Sequence, residues 1–104
     1  MYIRTKDGVY EVEAETDTFY YTNIAREIGV IKTNRVRKAN TIEELCDRFV
    51  VMDKETKEVI SIVSFLEYAK LWSFCKYNIY GAIWTDKGLI YVAKMDDKGK
   101  LVLI

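Results

Sequence analysis

The chain of 104 residues is 50% hydrophobic and 31% charged, which supports a folded core and excludes the composition of a disordered chain. Sixteen basic and sixteen acidic residues give a net charge of zero, whereas nucleic-acid-binding domains usually carry a strong positive excess. Histidine is absent, which excludes a nucleophile activated by histidine, and proline is absent with only five glycines, so we expect one domain over residues 1–104 without a flexible linker.

The first elements are predicted to be strands. Residues 2–6 and 9–13 flank Asp7 and Gly8, a dipeptide whose tolerance of positive φ suits the tight turn of a β-hairpin. The aromatic run at residues 19–22 predicts a third strand. The N-terminal part of the chain is therefore predicted to begin with a hairpin.

A first amphipathic helix is predicted at about residues 41–49. Thr41, with Glu44 three residues on, forms a capping box that satisfies free amides at a helix start. Apolar side chains then fall on one helix face: Ile42, Leu45, Cys46 and Phe49. The β-branched run at 48–53 and the apolar run at 59–64, separated by a polar turn, predict a central hairpin.

A second amphipathic helix is predicted at about residues 64–76, opened by a capping box of Ser64 and Glu67. One broad face carries most of its apolar side chains: Phe65, Tyr68, Leu71, Trp72 and Cys75. Leu66 and Phe74 fall on the polar side instead. Either the helix is sandwiched between the core and a loop, which we favour, or Leu66 and Phe74 form a protein interface.

The C-terminal residues predict a three-stranded meander. Two Asp-Lys-Gly turns separate its strands, and Gly88 and Gly99 are expected in the left-handed conformation. Apolar side chains on both faces predict that the first two strands lie in the middle of a sheet, covered on both sides. Gly81 is explained by an aromatic side chain above it, for which Trp72 is the candidate. The predicted fold class is α+β, a mainly antiparallel sheet with two amphipathic helices.

Charge is distributed in blocks along the chain. Residues 26–40 carry five basic side chains and one acidic side chain, a net charge of +4. Arg35, Arg37 and Lys38 are candidate phosphate contacts, and the basic segment 26–38 is the candidate interface of a nucleic-acid-binding regulator. The same side chains could equally pair with neighbouring acidic segments, and a solvated surface is the default interpretation.

The sequence contains no glycine-rich phosphate loop, nucleophile elbow or paired-histidine metal motif. Two cysteines without histidine do not make a zinc site, so we expect no metal and no other cofactor. We also expect no enzyme, since carboxylate catalysis would require a pocket in which two acids converge. The apolar runs are too short to cross a bilayer and the N-terminus does not resemble a signal peptide, which predicts an intracellular protein without membrane contact.

Three stretches carry a resemblance to a known group: MYIRTKDGVYEV, TIEELCDRFVVMD and YGAIWTDKGLIYVAKMDDKGKL. They resemble small uncharacterised proteins carried by phages and prophages of Gram-positive (Firmicute) bacteria. The resemblance implies a phage or mobile-element origin and the cytoplasm of a bacterial host, and it supplies no catalytic residues. We therefore predict a non-catalytic accessory protein that binds a host or phage protein, in a defence-modulating or regulatory role. The nucleic-acid-binding regulator is the alternative, and self-association is left open.

Overall fold

Antiparallel strands dominate the structure. The computed structural model describes residues 1–23, 29–72 and 75–104, and strands make up 52% of these residues against 7% in helices. They form two five-stranded antiparallel sheets. The chain divides into two compact units, Met1–Leu45 and Cys46–Ile104, each built on one sheet. The single domain over residues 1–104 stays a prediction.

The first unit contains a sheet with the strand order β4-β3-β2-β1-β5. Its strands are β1 (Tyr2–Arg4), β2 (Val9–Glu15), β3 (Phe19–Thr22), β4 (Val30–Ile31) and β5 (Arg37–Ala39). The predicted N-terminal hairpin and third strand are confirmed, because β2 pairs with both β1 and β3. The first turn is closed by the Thr5 amide, which donates to the Gly8 carbonyl at 2.9 Å, and Gly8 does not take the predicted positive φ.

The predicted helix at about 41–49 is wrong, since the structure has a single 3-10 turn at Glu43–Leu45. Its start forms as predicted: Glu44 Oε2 accepts hydrogen bonds from the amide and hydroxyl of Thr41, at 3.1 and 3.0 Å. The helix does not continue because the chain pairs as a strand from Arg48 onward. A single turn gains few hydrogen bonds, and strand pairing overrides the cap.

The second unit contains a sheet with the strand order β10-β9-β8-β6-β7. Its strands are β6 (Arg48–Asp53), β7 (Val59–Val63), β8 (Tyr77–Thr85), β9 (Gly88–Met95) and β10 (Leu101–Leu103). The central hairpin and the C-terminal meander are confirmed as β6–β7 and β8–β9–β10. Gly88 and Gly99 have φ angles of 99° and 80°, as the two turns require.

The predicted helix at about 64–76 is also wrong. Among the described residues of this segment only α1 (Leu66–Ala69) is helical. The capping box of Ser64 does not form, because Phe65 occupies the N-cap position and makes no side-chain hydrogen bond there. Without a cap, a short segment with bulky apolar residues on several sides has little to stabilise a longer helix. The fold class is therefore antiparallel β and not α+β.

Gly81 lies in the middle of β8 and allows a close approach from outside the sheet. A Cβ at this position would lie 2.7 Å from Cys46 Sγ. Cys46, and not Trp72, therefore packs over the glycine. Trp72 packs edge to face against Tyr77 instead, with 5.2 Å between the ring centroids.

Gly81→Ala should destabilise the protein, because the added methyl group overlaps Cys46 Sγ. We expect a loss of about 1 to 3 kcal/mol in the free energy of unfolding, the range typical of overpacked cores. Adding Cys46→Ala removes the sulfur that the new methyl group would overlap. The double variant should therefore lose less free energy of unfolding than the sum of the losses in the two single variants. Additive effects in urea denaturation would contradict the close contact.

Candidate functional site

The second sheet has one buried face and one face that is partly open to solvent. Alternation along β8 sends Ile79, Gly81 and Ile83 to the buried face. The strand register places the opposite side chains in three rows across the sheet: Ile62–Val50–Tyr80–Lys94–Val102, Arg48–Ala82–Tyr91, and Trp84–Leu89. The name aromatic face is used below for the solvent-accessible members of these rows: Arg48, Ile62, Tyr80, Trp84, Leu89, Tyr91, Lys94 and Val102.

The aromatic face presents large ring surfaces to solvent. Tyr80 and Tyr91 stack on each other, with 4.8 Å between ring centroids and 15° between ring planes. Trp84 lies in the next row and is 54% exposed. The expectation that both faces of β8 are covered is therefore wrong at Trp84, although Ala82 on the same face is buried.

Asp47 fixes the end of β8 that carries Trp84. The Asp47 amide donates to the Ala82 carbonyl at 2.9 Å, and Asp47 Oδ2 accepts a hydrogen bond from the Trp84 amide at 2.7 Å. The Arg48 guanidinium donates to the Asp47 carbonyl at 2.7 Å. Because a charged acceptor makes a short and strong hydrogen bond, the backbone beneath the indole is held in place.

The two predicted interface residues are not found together on an open surface. Leu66 is only 6% exposed, so its side chain belongs to the core of the second unit. Phe74 lies outside the described residues. The predicted inward face of this segment is turned outward instead, and its exposed side chains include Phe65, Tyr68 and Leu71. Bulky apolar residues on several sides made the helical periodicity a poor guide to which side is buried.

The three candidate phosphate contacts are divided between two hollows of the first unit. Successive side chains of β5 leave the sheet on opposite faces, so Arg37 and Lys38 diverge, although both line a hollow of about 480 Å³ at the sheet edge. Arg37 also donates to the Glu44 carbonyl at 3.3 Å. Arg35 lines a different hollow, of about 380 Å³. The structure therefore does not gather these three cations into one cluster.

Lys32, in the same basic segment, is paired with an acidic neighbour. Its Nζ lies 2.6 Å from Glu15 Oε2 and 4.8 Å from the centroid of the Tyr20 ring. The hydrogen bond raises the pKa of Lys32 and lowers the pKa of Glu15. For this side chain, pairing with an acidic segment describes the structure better than an open phosphate contact.

One hollow of the second unit, of about 250 Å³, is lined by two carboxylates together with Lys54, Cys75 and Lys76. The carboxylates belong to Asp53 and Glu55. Asp53 Oδ1 serves the turn between β6 and β7, since it accepts hydrogen bonds from the amides of Thr56 and Glu55 at 3.0 and 2.8 Å. These bonds lower the pKa of Asp53, which suits a turn cap and not a general acid.

No three His, Cys, Asp or Glu residues within residues 1–23, 29–72 and 75–104 are placed to hold a metal ion. Those residues also include no helix with the length and hydrophobicity that a bilayer crossing requires. No protein-family model, curated protein or solved structure matches this chain.

The sequence does not predict the aromatic face, because β8 is apolar on both sides. One signal is present in β9, where Lys94 lies opposite Tyr80, since a charged side chain in a row indicates an open face. The register shift between Gly81 and Ala82 decides that Tyr91 lies opposite Ala82. Such a bulge depends on pairing between distant residues and has no local sequence signal here.

Replacing Leu66 and Leu71 by alanine, one at a time, distinguishes the buried side of the α1 segment from its exposed side. Leu66→Ala should cost about 2 to 5 kcal/mol in the free energy of unfolding, because it leaves a cavity in the core. Leu71→Ala, at a position that is 82% exposed, should change the free energy by about 0.5 kcal/mol or less. Chemical denaturation measures both, and a larger loss at position 71 would reverse the assignment.

Asp53→Asn should lower the melting temperature by an amount that depends on pH. Because the folded-state pKa of Asp53 is depressed, its contribution is fully present above the ordinary value of 3.8 and is lost as pH falls through the folded pKa. Thermal melts across this range should show the wild-type advantage shrinking in acid. Asp86→Asn is the control, since in its turn the Thr85 hydroxyl donates to the Gly88 carbonyl and accepts from the Lys87 amide. A gap that does not change with pH would contradict the prediction.

Proposed function

We propose that this chain is a non-catalytic accessory protein of phage or prophage origin that binds a host or phage protein through the aromatic face. The proposal depends on one observation, the exposure of Trp84 beside the stacked pair Tyr80 and Tyr91 on a single sheet face. Tryptophan and tyrosine are enriched among the residues that dominate binding energy at protein interfaces. Rings anchored on paired strands also lose little conformational freedom on binding.

The charge of the aromatic face indicates which partner surface it fits. Its charged members are both basic, Lys94 and Arg48, and the Arg48 guanidinium donates to the Asp47 carbonyl, whereas the chain as a whole is neutral. A largely apolar partner surface with an acidic group near Lys94 would complement it. The resemblance to phage proteins supports a partner in the cytoplasm of a bacterial host and favours a defence-modulating or regulatory role.

A nucleic-acid-binding regulator that uses residues 26–38 is the weaker proposal. Its candidate cations are divided between two hollows, and Lys32 is paired with Glu15. Exposed rings on a sheet can also stack on unpaired bases, so the test below includes a nucleic-acid measurement.

The double variant Trp84→Ala/Tyr91→Ala should lose the partner. With the tagged protein as bait in a lysate of the bacterial host, proteins captured by the wild type should fall by about tenfold or more, since interface aromatics cost about 2 kcal/mol or more each when truncated. Ile31→Ala, on the first sheet and 56% exposed, is the matched control and should capture as the wild type does.

Equal capture by the aromatic double variant and the wild type would contradict the proposal, provided that both melt at similar temperatures. A nucleic-acid result would replace it. In that measurement, a single-stranded oligonucleotide quenches the tryptophan fluorescence of the wild type. If its affinity falls with salt and is lost in the double variant, the aromatic face is a surface for base stacking.

A further inference from the structure

Three of the four sheet edges carry the features that protect edge strands from pairing with other chains. β4 has two residues, β5 has three of which Arg37 and Lys38 are basic, and β10 has three. Short length and positive charge are the usual means by which proteins blunt an edge. The fourth edge, β7, has neither of these two features.

β7 is an edge strand of five residues, Val59–Val63, without a charged side chain or proline. It pairs with β6 on one side, and no backbone hydrogen bond from another described residue reaches its outer side. Ile60 and Ile62 are exposed. Amides and carbonyls with no partner along an apolar strand form a template for one more strand.

The sequence of β7 is VISIV, which reads the same in both directions. We propose that β7 pairs with β7 of a second copy of this chain, antiparallel about a two-fold axis at Ser61. In this arrangement Ser61 lies beside Ser61 of the second copy, and Ile60 lies beside Ile62. Every cross-strand pair then joins like with like, and β-branched pairs of this kind stabilise antiparallel strands.

The flanking charges favour the same arrangement. Lys57 and Glu58 precede β7, whereas Ser64 and Phe65 follow it. A two-fold antiparallel pair places the charged end of each copy beside the uncharged end of the other, so no like charges meet. A parallel pair would bring Lys57 beside Lys57 of the second copy. Self-pairing therefore selects the antiparallel direction.

The register shift opposite Val51 and Met52 limits the strength of the contact. It makes Ile60 the extra residue of β7, because Ser61 pairs with Val51 and Val59 pairs with Met52. The bulge adds twist at this end and leaves Ser61–Val63 in regular pairing with β6. The contact is short, so the dimer forms in a concentration-dependent way. Residues opposite each other share a face, so the two aromatic faces would lie on the same side of a ten-stranded sheet.

Charged side chains introduced at the two exposed isoleucines test the pairing. The wild type should reach the mass of two chains at high concentration in sedimentation velocity. Ile60→Lys/Ile62→Lys should stay monomeric because lysines face lysines, and so should Ile60→Glu/Ile62→Glu. An equimolar mixture of the two variants should restore the dimer. Val102→Lys is the control, since Val102 on β10 is 48% exposed against 54% for Ile62, and this variant should dimerise as the wild type does.

A cross-linking experiment tests the register and does not require charged variants to fold. In a Cys75→Ser background, Ser61→Cys should give a covalent dimer on oxidation, because a residue on the two-fold axis lies within disulfide reach of its own copy. Ser64→Cys is the control and should give none, since it lies three positions from the axis.

The proposal would be overturned if the wild type is monomeric at all concentrations and the Ser61→Cys variant gives no covalent dimer. Dissociation by Val102→Lys would assign the contact to the β10 edge instead. A charged mixture that stays monomeric would exclude the edge-to-edge arrangement. The partner test changes Trp84 and Tyr91, and the Ser61→Cys cross-link changes no member of the aromatic face, so failure here and failure of partner binding are distinguishable.

Discussion

The burial of three consecutive side chains, Phe49, Val50 and Val51, is the constraint on which the second unit depends. In a strand, neighbouring side chains point to opposite faces, so such a run is buried only where both faces of the strand are covered. β6 also lies between β7 and β8, so its backbone is paired on both sides. Its pairing with β8 begins at Arg48, which leaves room for only one helical turn after Thr41.

The same arrangement gives the two faces of β8 different surroundings. The Ile79 face contains the core and receives Cys46 over Gly81, whereas the other face holds Tyr80 and Trp84 in rows that end in solvent. The interior strands give these rings a rigid base, which is the property that a binding surface needs. At the edge, β7 continues the row of Tyr80 through Val50 to Ile62. The aromatic face and the open edge therefore belong to one sheet.

Local signals in the sequence were sufficient for the two hairpins and the meander, but they did not predict β4 and β5. Alternation and turn chemistry predicted both hairpins and the meander, with left-handed glycines at 88 and 99. The two helices failed for a physical reason: a capping box such as that of Thr41 and Glu44 fixes a helix start but not its length. Length is decided by tertiary pairing, and β6 required its residues for the sheet.

The candidate site was less accessible to sequence reasoning. Tyr80 and Ile79 look alike in a pattern of apolar residues, and only pairing with Lys94 or with buried neighbours distinguishes their faces. The packing of Cys46 over Gly81 joins residues distant in the chain. The outward turn of Phe65, Tyr68 and Leu71 likewise reflects how α1 packs, since its own periodicity is ambiguous.

Residue-resolved amide hydrogen exchange tests the central position of β6 and β8 most directly. Strands that are hydrogen-bonded on both sides open only with the whole sheet, so the amides at 49–51 and 79–83 should exchange most slowly, while those at 64–72 should exchange rapidly. Slow exchange across 64–72, together with rapid exchange at 49–51, would indicate a long helix beside a frayed strand and would contradict this account.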